Sequence, residues 1–140
     1  MIEERILAID FGEKRIGIAI TDPLKIFAYP LTTINNDLKF LDRLKEIITQ
    51  YSVTKIILGI PLREDGSETV ISRKVMNFKS TVEKELNIEI ELVDERYSSQ
   101  IAKDRIIESV VSKKKRRDKS LLDRNAAALI LEDWLKCHYT

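Results

Sequence analysis

Residues 5–21 read RILAIDFGEKRIGIAIT, a stretch that predicts two neighbouring strands joined by a tight turn. Residues 5–10 form a short apolar run, which is typical of a strand buried on both faces of a sheet. Residues 15–21 alternate isoleucine with small side chains, and this two-residue period indicates a second strand. The short connection contains Gly12 and favours a hairpin, so the first strand ends with a carboxylate, Asp10, at the turn.

The rest of the chain alternates strand patterns with helix patterns. A third strand is predicted at 29–34, at an edge of the sheet because Pro30 cannot donate a backbone hydrogen bond. Apolar residues that recur every three or four positions then predict four helices. The further predicted elements are, in chain order, a helix capped by Asn36 or Asp37, a strand at 55–60, a helix capped by Ser67, a strand at 88–93, a helix from Ser98 or Ser99 to 111, and a helix from Leu121 to Cys137.

This order defines a fold class. Three antiparallel strands followed by strands that alternate with helices predict an α/β protein with a five-stranded mixed sheet and helices on both faces. Right-handed crossovers would place the first strand at the centre, beside the later parallel strands. The arrangement matches the ribonuclease H-like fold. Repeats and linker compositions are absent from the sequence, so one domain over residues 1–140 is expected.

The composition excludes several classes of protein. Hydrophobic residues make up 44% and charged residues 34% of the 140-residue chain, as in ordinary globular proteins. Apolar runs are too short for a membrane span, and the charged residues 1–5 do not resemble a signal peptide. Cys137 is the only cysteine, which excludes an internal disulfide and favours a reducing cytoplasm.

Positive charge is concentrated in one segment. The formal net charge is only +1, but residues 113–119 read KKKRRDK, so the remainder of the chain is net negative. A local basic segment can bind a phosphate backbone without the whole protein being basic. The alternative is a solvated surface loop.

Three carboxylates lie at or near the ends of predicted strands and helices. Asp10 ends the first strand, Glu95 follows the strand at 88–93, and Asp123 lies in the first turn of the last helix. Acidic residues are usually plain surface residues. Carboxylates that converge on one edge of a sheet, however, are what a Mg²⁺ site acting on phosphate needs.

Four segments together resemble the YqgF family, which is described as Holliday junction resolvases or pre-16S rRNA nucleases. The matching segments occur in the family's order: Asp10-Phe11-Gly12 with Lys14-Arg15-Ile16-Gly17-Ile18-Ala19 and Asp22, Gly59-Ile60-Pro61-Leu62 with Asp65-Gly66, Asp94-Glu95-Arg96-Tyr97-Ser98-Ser99, and Asp123 with Ala126-Ala127 and Ile130-Leu131. The resemblance spans nearly the whole chain. It implies a ribonuclease H-like fold and metal-binding acids at Asp10, Glu95 and Asp123.

The resemblance also implies metal-dependent hydrolysis of phosphodiester bonds, with Asp10, Glu95 and Asp123 as the catalytic residues. The expected cofactor is Mg²⁺ or Mn²⁺, as two ions about 3.5–4 Å apart. Adjacent side chains diverge in an extended chain, so only one of Asp94 and Glu95 is expected to face the site, and Glu95 is the preferred ligand. The residues expected to contact nucleic acid are Lys14, Arg15, Arg96, Lys113, Lys114, Lys115, Arg116 and Arg117.

The sequence is compatible with more than one function. Processing of the 5′ end of pre-16S rRNA in ribosome biogenesis is the first function expected, and resolution of Holliday junctions is the second. A resolvase needs two active sites and hence a homodimer. A non-catalytic nucleic-acid-binding factor is the third. Actin-like ATPases and sugar kinases share the Asp-x-Gly strand end, but they need two such domains and the chain has room for one. The expected partner is structured RNA or branched DNA, and a membrane is not expected.

Overall fold

A computed structural model of the protein describes residues 4–63, 65–94 and 119–139, and within the last range the side chains of 124–138. Five strands form one sheet: β1 (Arg5–Asp10), β2 (Arg15–Thr21), β3 (Ala28–Asn35), β4 (Val53–Ile60) and β5 (Ile90–Asp94). Their order across the sheet is β3-β2-β1-β4-β5. The pairs β1–β2 and β2–β3 are antiparallel, whereas β1–β4 and β4–β5 are parallel. The predicted mixed sheet with a central first strand is confirmed.

Helices cover both faces of the sheet. They are α1 (Phe40–Tyr51), α2 (Val70–Leu86) and α3 (Lys119–Tyr139). Leu7 and Ile9 of β1 face a core that contains residues of α1 and α2, including Leu44 and Val75. On the other face, Ile6 and Ala8 belong to a second core that consists of sheet residues and one side of α3. The central strand is therefore buried on both faces, as its uninterrupted apolar run predicts.

Trp134 lies in this second core. It is 5% exposed, and its indole Nε1–H donates a hydrogen bond to the Glu91 carboxylate on β5. The Lys55 ammonium lies 5.3 Å from the centroid of the same ring. The apolar helical stripe around Trp134 predicts packing rather than a base-stacking surface, and that prediction is confirmed. The Trp134 contacts tie the C-terminal half of α3 to β4 and β5.

Two helices begin later than the sequence pattern predicts. Asn36 and Asp37 do not cap α1, which starts at Phe40 after Lys39. The Asp37 carboxylate instead accepts a hydrogen bond from the Lys39 N–H in a local turn, and Leu38 is fully exposed rather than part of the helix stripe. Likewise α2 is capped by Thr69 rather than by Ser67. The predicted helix at 98–111 lies outside the described residues.

The loop between β2 and β3 is organised by one carboxylate. Asp22 Oδ1 accepts hydrogen bonds from the N–H groups of Ile26 and Phe27, and Oδ2 accepts one from Leu24. Slight desolvation acts to raise the pKa of this carboxyl, but the hydrogen bonds from these N–H groups outweigh it and hold the pKa below its ordinary value. Asp22 therefore shapes the loop at the end of the sheet opposite Asp10.

Within the described residues, the helices include no segment long and apolar enough to cross a membrane.

Candidate active site at the end of β1

Asp10 is the last residue of the central strand, and the pairing register fixes its surroundings. It is half-buried and pairs with Gly17 of β2. On the other side Ile9 pairs with Leu58, so Gly59 is the next residue of β4 along that edge. Both strands that flank Asp10 thus have glycine beside it, and no side chain of a paired residue can cover the carboxylate.

Strand alternation places Asp10 on the face covered by α3. Residues 6 and 8 of β1 belong to the core on that face, whereas residues 7 and 9 belong to the core on the face of α1 and α2. Successive side chains of a strand point to opposite faces. Asp10 continues the series 6, 8, 10 and therefore projects toward the side of the sheet on which α3 packs.

The direction of α3 brings its start toward the same edge. Its C-terminal half, through Leu135 and Lys136, lines a groove of about 540 Å³ together with Phe27 of the β2–β3 loop. That loop follows Thr21, at the end of β2 farthest from Gly17. Because the C-terminal half of α3 lies at the far end of the sheet, the start of the helix lies toward Asp10.

The turn at residues 11–14 connects Asp10 to β2 and is held from two sides. On one side, Asn36 Nδ2 donates to the Gly12 carbonyl at 2.9 Å, and the Asn36 backbone N–H donates to the Lys14 carbonyl at 2.9 Å. On the other side, the Phe11 ring lies 5.1 Å from the Phe78 ring of α2, centroid to centroid. Asp10 therefore precedes a turn with a defined conformation.

Steric crowding requires glycine at position 12 of this turn. A Cβ atom at position 12 would lie 2.2 Å from the Arg15 carbonyl oxygen, which is a backbone atom that cannot rotate away. Only glycine lets the chain turn this tightly between β1 and β2. The Gly turn that the sequence predicts after Asp10 is confirmed.

The loop between β4 and α2 lies at the same edge of the sheet. The Arg63 N–H donates to the Ser67 carbonyl at 3.1 Å, and Gly66 adopts a positive φ of 87°. The Thr69 hydroxyl accepts from the Ser72 N–H while the Ser72 hydroxyl accepts from the Thr69 N–H, a reciprocal capping box. The loop therefore ends in a rigid helix start.

Two of the predicted basic residues belong to the turn and the strand that follow Asp10. Lys14 is exposed in the turn, and Arg15 is half-buried at the start of β2. Ala19 of β2 belongs to the α3-side core, and Arg15 is four residues away on the same alternation. Arg15 therefore shares the face of Asp10, while Lys14 is available at the rim.

The remaining predicted site residues are described only in part. Asp123 belongs to α3, but its side chain is not described. The others lie outside the described residues: Glu95, Arg96, Lys113, Lys114, Lys115, Arg116 and Arg117. Across 4–63, 65–94 and 124–138, no three His, Cys, Asp or Glu side chains form a group that could hold a metal ion. The convergence of the three acids thus stays a prediction.

The chemistry of the described residues nevertheless fits a hard divalent cation. The Asp10 carboxylate supplies oxygen ligands, which Mg²⁺ prefers over nitrogen or sulfur. It is half-buried at a sheet edge, and neither Gly17 nor Gly59 on the flanking strands has a side chain that would crowd it.

Contacts near Asp10 also involve residues that the sequence pattern does not indicate. The pattern predicts Asn36 or Asp37 as a helix cap, but the Asn36 amide holds the turn after Asp10. Glu13 in that turn forms an ion pair with Lys74 of α2 at 3.1 Å. These partners are distant in sequence, and no local pattern indicates them.

The order and directions of the five strands, with helices on both faces of the sheet, define a ribonuclease H-like fold. Among solved structures, RuvC of Thermus thermophilus bound to a Holliday junction substrate aligns with a TM-score of 0.63 at 13% identity, over 98% of each chain. The Holliday junction resolvase of fowlpox virus aligns with a TM-score of 0.56 at 14% identity, over 95% of this chain and 98% of its own. At these identities the likeness shows the fold alone.

Sequence comparison then identifies the family. Residues 4–137 match the model of the RuvX family, described as Holliday junction resolvase, and the chain belongs to this family, also called YqgF. A protein of Maridesulfovibrio salexigens named "Putative pre-16S rRNA nuclease" is 42% identical over 94% of this chain and 97% of its own. A protein of Dictyoglomus turgidum with the same name is 39% identical over 94% and 93% of the two chains.

Proposed function

We propose that this protein is a metal-dependent nuclease that acts in the cytoplasm as a single domain and processes the 5′ end of pre-16S rRNA during ribosome biogenesis. The observation that supports it most directly is the position of Asp10. This carboxylate ends the central strand on the α3 face, with glycine on both flanking strands. The two relatives described above carry the name of such a nuclease.

The proposed ligands are Asp10, Glu95 and Asp123. On β5, Val93 belongs to the α3-side core, while Ile90 and Leu92 pack against the opposite core. Asp94 continues the alternation of residues 90 and 92, which line one face of the strand. Its side chain is therefore directed away from the face of Asp10. The alternation of β5 therefore favours residue 95 as the ligand on the Asp10 face.

The helical spacing of α3 supports Asp123 as the third ligand. Ala127, Ile130, Leu131 and Trp134 form the buried side of this helix. Position 123 precedes Ala127 by four residues, which is about one helical turn. On a regular helix this spacing would place residue 123 on the same side as Ala127, at the end of α3 that lies toward Asp10.

Each group has a defined part in the proposed reaction. The bound Mg²⁺ or Mn²⁺ ions would supply an activated water and charge stabilisation at the phosphate. Asp10, Glu95 and Asp123 would hold the ions. Lys14 and Arg15 would bind phosphate groups of the strand beside the cut, Arg15 from the face that it shares with Asp10. A general base among the described side chains would not be needed, because the bound ions would supply the activated water.

A Holliday junction resolvase is the second candidate, because the matching family model carries that description. A resolvase would cut both strands of a four-way junction symmetrically and would act as a homodimer. Incubating the protein with pre-16S rRNA fragments and with four-way DNA junctions, in Mg²⁺ or Mn²⁺, tests both candidates together. Cleavage of the rRNA supports the proposal, and cleavage of junctions alone supports the resolvase. A folded protein that binds but cuts neither would be a non-catalytic binding factor.

The basic segment at 113–117 gives a separate prediction about substrate binding. Replacing Lys113, Lys114 and Lys115 by glutamine is expected to weaken RNA binding and to reduce the slope of log K against log salt by about 1–2, because fewer counterions are released. Binding measured between 50 and 200 mM salt gives the slope. The matched control neutralises Lys39, Arg43 and Lys45, which are exposed on or next to α1 on the opposite face of the sheet. These substitutions should leave the salt slope unchanged. Equal slopes for all variants would show that the segment is only solvated.

A further inference from the structure

We infer that Asn36 is a positioning residue for Asp10, because it fixes the turn that follows the Asp10 strand. This inference rests on the proposed function, in which Asp10 holds the metal ion. Asn36 would not touch substrate or metal. It would act by keeping the end of β1 and its carboxylate in one orientation.

Asn36 binds two carbonyl groups of the four-residue turn. Its side-chain Nδ2 donates to the Gly12 carbonyl, and its backbone N–H donates to the Lys14 carbonyl, both at 2.9 Å. Because the acceptor is a carbonyl, only the NH₂ end of the amide can make the first bond. The side chain is half-buried, so this bond is partly protected from water.

The side-chain bond of Asn36 adds a contact that the strand ladder does not provide. The last pair between β2 and β3 joins Arg15 with Asn35. Asn36 is the next residue, and its backbone bond to Lys14 extends this ladder by one pair into the turn that precedes β2. The side-chain bond spans 24 residues of sequence, so it links β3 directly to the chain that leaves Asp10.

Contacts from α2 hold the opposite side of the turn. Phe11 packs against Phe78, and Glu13 pairs with Lys74 one helical turn earlier. The ion pair is about half exposed at both side chains and contributes little by itself. The Phe78 ring also lies 5.4 Å from Phe40 of α1, which anchors this contact in the core.

Substitutions on the two sides of the turn would have different effects on the fold. Loss of the Phe11–Phe78 contact would damage the core and the fold. Loss of the Asn36 side-chain bond would leave both cores intact, because Asn36 belongs to neither of them. It would release Gly12 and let the turn move. Groups hydrogen-bonded directly to a metal ligand are typically worth about 10- to 100-fold in metal affinity or activity. Asn36 acts two residues away from Asp10, so the expected effect is at the lower end, about 10-fold.

The test compares metal binding by wild type and by four variants. Asn36→Ala and Asn36→Leu both remove the donor, and the leucine variant keeps a comparable side-chain volume. Asn35→Ala is the matched control, because Asn35 is adjacent, exposed, and has no side-chain hydrogen bond within the described part of the chain. Asp10→Asn is the reference for loss of the ligand itself. Affinity for Mn²⁺ alone is measured from the free-ion signal in electron paramagnetic resonance, at a temperature where circular dichroism shows every variant folded.

The expected result is Mn²⁺ binding about 10-fold weaker in at least one folded Asn36 variant, and within about twofold of wild type in Asn35→Ala. In RNA cleavage, kcat should fall at low Mn²⁺ with little change in KM, and high Mn²⁺ should restore it, which a general loss of structure would not allow. If the Asn36 variants bind Mn²⁺ like wild type while Asp10→Asn does not, the inference is wrong and the proposed function stands. If wild type itself does not bind Mn²⁺, both are wrong.

Discussion

Replacing Asp10 by asparagine is expected to lower the rate of RNA cleavage by at least about 10³-fold, which corresponds to about 4 kcal/mol of transition-state stabilisation. Asparagine has nearly the same shape, but its neutral amide is a poor ligand for a divalent cation. The fold should remain, because the residue ends a strand whose other side chains form the two cores. Cleavage of a pre-16S rRNA fragment under single-turnover conditions gives the rate.

The matched control for this experiment is Asp42→Asn. Asp42 is exposed in the first turn of α1, which covers the opposite face of the sheet. This variant loses the same charge and should cleave within about twofold of wild type. If circular dichroism shows that Asp10→Asn is folded and this variant retains more than a tenth of the wild-type rate, Asp10 is not a ligand.

The second large effect concerns the adjacent acids at the end of β5. Glu95→Gln is expected to reduce the cleavage rate by about 10²- to 10³-fold, whereas Asp94→Asn should reduce it by less than about 10-fold. The reason is strand alternation, since Asp94 shares the phase of Ile90 and Leu92 on the face away from Asp10. Both substitutions remove one negative charge from neighbouring positions, so the general electrostatic effect is the same.

The measurement is again single-turnover cleavage, together with Mn²⁺ affinity for each variant. Glu95→Gln should weaken metal binding and Asp94→Asn should not. The reverse ranking, with Asp94→Asn nearly inactive and Glu95→Gln active, would assign the ligand to Asp94. It would also mean that the end of β5 departs from the alternation of its described residues.

The strands could be predicted well because the patterns that define them lie within short segments of the sequence. β1 and β2 begin and end at the predicted residues, since an apolar run and an alternating run are each bounded by turn residues. Pro30 correctly indicated an edge strand, and β3 lies at one edge of the sheet. The central position of β1 follows from the handedness of the crossovers.

The helix starts could not be predicted to the residue. Several polar side chains near each start can make local hydrogen bonds, so more than one N-cap is compatible with the sequence. Asp65, for instance, accepts from the Ser67 N–H in a turn before α2, and the cap is Thr69. The Thr69 hydroxyl also lies 3.3 Å from the Pro61 carbonyl at the end of β4, a tertiary contact that favours this start.

The turn that follows Asp10 was predictable from the sequence, but the contacts that hold this turn were not. Asp10, the glycine turn and the nearby Lys14 and Arg15 follow from one continuous segment. The contact of Asn36 with Gly12, and that of Lys74 with Glu13, join residues far apart in sequence. Such pairs depend on how β3 and α2 pack beside the turn, which a single sequence does not reveal.

The central claim is that carboxylates at this edge of the sheet bind a divalent metal that cleaves RNA. The most direct measurement is cleavage of a 5′-labelled pre-16S rRNA fragment by the wild-type protein with Mg²⁺ or Mn²⁺, and after removal of metal by a chelator. We predict a defined product with either metal, no product with chelator, and recovery when metal is restored in excess. Equal cleavage in the presence of chelator, or no cleavage with either metal by the folded protein, would contradict the account.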